Sequence, residues 1–199
     1  MGEALETLQK FNSFEEFLEF EQHSEIRYEF YDGEVFAMAG TTIIHNLIVS
    51  NTSDIFKEHF RPRGCFILTE SVKLEAIKNF YYPYPDVMLT CNENDKKEPY
   101  IIKNPSIIIE VLSKSTEETD RKFKWQRYKR IPSLQHFILV SQYEILVEVF
   151  SRIENSETWL YQSFDELTQE IELRNMDFKI PVSRIYENIA FPPINEMQQ

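Results

Sequence analysis

The segment SIIIEVL, Ser106 to Leu112, constrains the fold more than any other stretch of the chain. Three isoleucines and a valine in so short a run favour a strand. The lack of polar alternation asks for burial on both faces, the position of a central strand in a covered sheet. One residue resists this reading. Glu110 is a carboxylate inside the run, and an unpaired carboxylate taken out of water costs several kcal/mol. It therefore calls for a cation, a hydrogen-bonding network or a raised pKa. Close behind it, STEETDRKFKWQRYKR reads as a helix, opened by Ser115 and Glu118 in a capping-box pattern and closed by Pro132. That helix holds the dense basic run Lys122, Lys124, Arg127, Lys129 and Arg130 in an otherwise acidic chain.

The remaining chain supplies partners for that strand. NSFEEFLEFEQHS carries Ser13 and Glu16 in a second capping box and apolar residues at helical spacing. IRYEFYDGEVFAM places two β-rich runs around Asp32-Gly33, a hairpin signal. TTIIHNLIVSNTSDIFKEHF reads as a helix ended by RPRG. CFILTE and SVKLEAI read as strands, taken together as a bent pair, and YPDVMLT as a strand led by prolines. QHFILVS and EILVEVFS are strands around Gln142-Tyr143; TWLYQSF and QEIEL add β structure, and VSRIYENI is expected to close the chain as a helix. With no internal repeat or linker, residues 1–199 are expected to form one α+β domain.

Composition removes several classes of function. Only four glycines are present, too few for a Gly-rich phosphate loop. Cys65 and Cys91 have no metal-ligand spacing and are expected as free thiols in a reducing compartment. The acidic start MGEALETLQKF lacks the features of a secretory signal, and no stretch is apolar enough for a membrane span, so a cytoplasmic protein is expected. A net charge of -12 argues against tight, sequence-independent nucleic-acid binding. It suits a site that collects cations.

Asp86, after Pro85 in YPDVML, is the second carboxylate in a strand-like setting. From Thr42 the expected order is helix, three strands, helix, strand, and the two carboxylates fall on the two strands before the second helix. This order resembles the core of the PD-(D/E)XK nuclease superfamily, with Pro85-Asp86 as its first motif and Glu110 opening the second. Leu112 stands where that motif has its lysine. Within the superfamily the chain resembles the Uma-type family of restriction-endonuclease-like proteins, first catalogued as a domain of unknown function. The resemblance runs from about Phe14 to Phe150. It rests on YEFYDGEVFAMAG, on His45 opening a helix, on YPDVML and SIIIEVLSKST, on the Asp120, Lys124, Tyr128 series and on IPSLQHFILV.

The resemblance implies a restriction-endonuclease-like core at about residues 42–141, a mixed central sheet flanked by helices with extra hairpins. It implies a metal-dependent DNA endonuclease acting as a homodimer.

 

In that reading Asp86, Glu110 and the backbone carbonyl of Val111 offer the hard oxygen ligands that suit Mg²⁺, or Mn²⁺ in its place. The family's lysine is expected on the helix after the glutamate strand, and Lys124 matches that place. Lys122 and Phe123 stand where the family more often has a glycine and an acidic residue, so Lys122 competes for the role. His45 and Glu34 are accessory candidates, with Glu29 behind them. The alternative is a catalytically inactive module that keeps the fold for nucleic-acid binding or protein interaction; a third reading keeps the site and changes the phosphate ester.

Overall fold

The computed structural model describes residues 10–191 apart from Ala39, Ser115 and Asn155. The capping box expected at Ser115 lies outside the described residues. The chain opens with α1 (Phe14–Gln22), the hairpin β1 (Tyr28–Tyr31) and β2 (Glu34–Ala37), and α2 (Ile43–Phe60). Next come β3 (Phe66–Thr69), β4 (Lys73–Leu74), β5 (Tyr81–Tyr82), β6 (Val87–Thr90), β7 (Ile101–Ile102) and β8 (Ile107–Leu112). A π-helical turn, Thr119–Lys124, runs into α3 (Trp125–Tyr128). Strands β9 (His136–Ser141), β10 (Val147–Arg152), β11 (Trp159–Phe164), β12 (Glu170–Leu173) and β13 (Phe178–Pro181) lead to α4 (Val182–Ile185).

The main sheet has six strands in the order β11-β10-β9-β8-β6-β3. The SIIIEVL segment is β8, buried at every residue, in the interior of this sheet as its composition requires. It pairs in parallel with β9 and antiparallel with β6. A parallel pair cannot be joined by a tight turn and needs a crossover. The π-helical turn and α3 are that crossover, which lays the basic helix over the strand that carries Glu110.

Two apolar layers cover the sheet. Ile107, Ile109 and Val111 pack in one cluster with Ile48, Ile55 and Phe56 of α2. Ile108 and Leu112 pack in another with Tyr128, Leu134 and Tyr81. Helix α2 starts where the Thr42 hydroxyl accepts the His45 amide (3.1 Å), a side-chain cap. It ends in the turn Arg61–Arg63, and Gly64 takes the left-handed φ of 78° that lets the chain reverse. A third, aromatic cluster ties α1 to the first hairpin and β5, with Phe14 stacked on Tyr82. Asp32 and Gly33 both have positive φ, as a tight two-residue hairpin turn demands.

Four expectations change. Cys65 and Cys91 are joined in a disulfide, not free. The register explains it: Phe66 faces Thr90, so the next pair outward is Cys65 and Cys91. CFILTE and SVKLEAI do not pair with each other; β3 pairs with β6, and β4 pairs in parallel with β7. The helix after β8 is wound as a π-helix over Thr119–Lys124 before it becomes α-helical. VSRIYENI contributes only the four-residue α4.

Candidate active site

Three adjacent strands set the frame of the site. Thr69 faces Val87 across β3 and β6, and Val87 faces Ile109 across β6 and β8. One residue further along each strand brings Glu70, Asp86 and Glu110 into a row across the sheet. The Glu70 amide donates to the Asp86 carbonyl (3.2 Å), and the Val111 amide donates to the Asp86 carboxylate (2.6 Å). Asp86 is therefore held at the end of β6 by the backbone of its neighbour.

Glu110 is 2 % exposed, and its partners come from the crossover. Tyr128 donates its hydroxyl to Oε1 (2.8 Å), and Nζ of Lys124 lies 3.1 Å from Oε2. Asp120 sits 3.0 Å from the same ammonium, and Glu29 of β1 lies 3.9 Å away. One buried cation thus serves three carboxylates. Burial works against the Lys124 ammonium, yet Glu110, Asp120 and Glu29 outweigh it and hold its pKa well above the ordinary lysine value. Lys124 stays charged at neutral pH and cannot act there as a base. Burial pushes the Glu110 carboxyl upward while Lys124 opposes that shift, and Glu29 is raised for the same leading reason.

His45, on the first turn of α2, approaches from the other layer. Its Nε2 lies 3.3 Å from Oδ2 of Asp86. Burial lowers its pKa, but the hydrogen bond to Asp86 and the nearby carboxylates prevail and the net shift is upward. Ligand atoms of His45, Glu70 and Asp86 all lie within 4.8 Å of one another, a donor set and spacing that fit a divalent cation.

Buried charge alone does not mark a site. Asp95 is equally buried, but Thr90, Asn104 and the amide of Lys103 satisfy it with hydrogen bonds, and it organises a turn.

The structure thus pairs His45 with Asp86 and Lys124 with Glu110, on adjacent strands. Lys122 points away, is exposed and pairs with Glu118. Glu34 faces Tyr31 in the hairpin and bridges to Lys10, while Glu29, ranked behind it, reaches Lys124. Asp120 and Lys124 form the i,i+4 pair that their spacing suggests. Trp125 packs against Phe137, Phe150 and Trp159. Glu70 went unread because it closes the run CFILTE as an ordinary strand-end carboxylate, and only the strand register reveals its place.

The architecture is a restriction-endonuclease-like α+β fold. A solved structure from Anabaena variabilis ATCC 29413, described as "a putative nuclease belonging to DUF820", superposes with a TM-score of 0.68. The two share 16% identity over 87% of this chain and 97% of that one. The chain belongs to the Uma2 family, described as "Putative restriction endonuclease", whose model matches residues 14–183. Two relatives from Synechocystis sp., "Uncharacterized protein slr1290" and "Uncharacterized protein sll1609", are each 30% identical. The matches cover 89% and 81% of this chain and 92% of each relative.

Proposed function

We propose that the protein is a metal-dependent DNA endonuclease. The observation that carries this reading is the placement of Asp86 and Glu110 in register on neighbouring strands, with Lys124 of the crossover between β8 and β9 paired to Glu110. Asp86, Glu110 and the Val111 carbonyl would be the oxygen donors for Mg²⁺ or Mn²⁺. A bound ion supplies Lewis-acid polarisation of the phosphodiester and a lowered pKa for water. Lys124, fixed in its charged form, offsets charge that develops on the phosphoryl oxygens.

The positive charge for a DNA backbone is sparse. Arg121 pairs with Glu117 and Glu148, and Lys122 with Glu118. Two copies about a two-fold axis would double the basic helices and match the symmetry of a duplex, so we take the active form as a homodimer. Light scattering at micromolar concentration that gives a monomer alone opposes this. We keep the cytoplasm as the compartment. Among the described residues no helix is long and apolar enough to cross a membrane. The disulfide bears on the choice of compartment, since such bonds are rare in a reducing cytoplasm.

The test is cleavage of plasmid DNA with Mg²⁺ or Mn²⁺, with a chelator as control. Asp86→Asn and Glu110→Gln should abolish cleavage in a folded protein. Absence of cleavage by the wild type, together with no ion binding by calorimetry, favours the inactive module; the -12 net charge is the observation on its side.

A further inference from the structure

The row of carboxylates extends beyond the two that the sequence pattern singles out. Glu70 stands opposite Asp86 at the end of β3, tied to it by a backbone hydrogen bond of 3.2 Å. Like charges directly opposite on a sheet repel. Glu110 has Lys124 as its counter-ion, but among the described residues the Glu70 carboxylate has no hydrogen bond or ion pair. Glu70 also holds a φ of 46°, in the left-handed region where a residue other than glycine is uncommon. From the opposite layer the buried His45 aims Nε2 at the same point, 3.3 Å from Asp86.

We propose that His45 Nε2 and the Glu70 carboxylate join Asp86 as direct ligands of the divalent ion, giving the site a nitrogen donor and a preference for Mn²⁺ over Mg²⁺. The inference rests on the metal-dependent reading above and adds two residues to it. The ligand atoms of the three lie within 4.8 Å of one another, close enough to share one ion. Mg²⁺ favours an all-oxygen octahedron, whereas imidazole suits first-row transition ions. Glu110 is engaged instead by Tyr128 and Lys124.

Mn²⁺ alone is the probe, read by calorimetry and by pulsed electron paramagnetic resonance on the wild type, His45→Gln and Glu70→Gln. Melting curves establish that each variant is folded. Nitrogen modulation of the Mn²⁺ signal is expected in the wild type and should vanish in His45→Gln. Each substitution should weaken Mn²⁺ binding by about tenfold or more, and His45→Gln should narrow the gap between Mn²⁺ and Mg²⁺. Mn²⁺ bound without nitrogen modulation, at equal affinity in all three proteins, overturns the proposal and leaves the metal-dependent reading in place. No Mn²⁺ binding by the wild type overturns both.

Discussion

Lys124 neutralises carboxylates that have no route to water, so its loss should appear in stability as well as in turnover. Lys124→Ala strands Glu110 and Asp120 in the interior, and breaking such a buried pair costs about 3–5 kcal/mol. Urea unfolding should show that loss, while Mn²⁺ still binds because lysine is not a ligand. A second buried group gives a pH signature. Among the described residues the His136 ring has only the Ser151 hydroxyl as hydrogen-bond partner, and burial pulls its pKa from 6.5 to about 4. The unfolded chain therefore takes up this proton first. Stability from this group is complete above pH 6.5 and is lost as pH falls toward 4, by at most about 3 kcal/mol. Urea midpoints across that range should fall further in the wild type than in His136→Gln; equal slopes would exclude the assignment. Glu110 was legible in the sequence because a carboxylate in an apolar run has to be explained. Glu70 was not, because nothing local separates it from an ordinary strand-end residue.

Elements with a full period were legible, and shorter ones were not. Strands β8 and β9 and helix α2 declare themselves through composition and spacing. Two-residue strands such as β4, β5 and β7 have no period to detect. The Cys65–Cys91 bridge was missed for a related reason: it depends on the register of β3 on β6, and spacing along the chain carries no trace of that. The bridge closes a separation of 26 residues, so opening it should lower stability by roughly 3 kcal/mol in the chain-entropy account. Melting with and without reductant measures this, and a Cys65→Ser, Cys91→Ser double variant should be insensitive to reductant. At the other end of the site, Thr42→Ala removes the cap that starts α2 one turn ahead of the His45 ring. The expected loss is about 1 kcal/mol, with weaker Mn²⁺ binding if His45 is a ligand.

Across the whole molecule, negative charge gathers where the sheet, α2 and the crossover meet. Glu29, Glu110 and Asp120 surround the buried Lys124 ammonium, and Glu70 and Asp86 gather beside His45. An ion that binds only the folded state should therefore stabilise it, by about 2.7 kcal/mol at a hundred times its dissociation constant. The melting temperature should rise with Mn²⁺ in the wild type and not in Asp86→Asn. These side chains also come from widely separated stretches of chain. They meet only after β3, β6 and β8 have aligned and the crossover has closed over them. Non-local pairing of that kind is slow compared with local helix and hairpin formation. In stopped-flow refolding, ion affinity should therefore emerge with the last kinetic phase. On the proposed function, a half-folded chain has no assembled cutting centre and leaves the DNA around it intact.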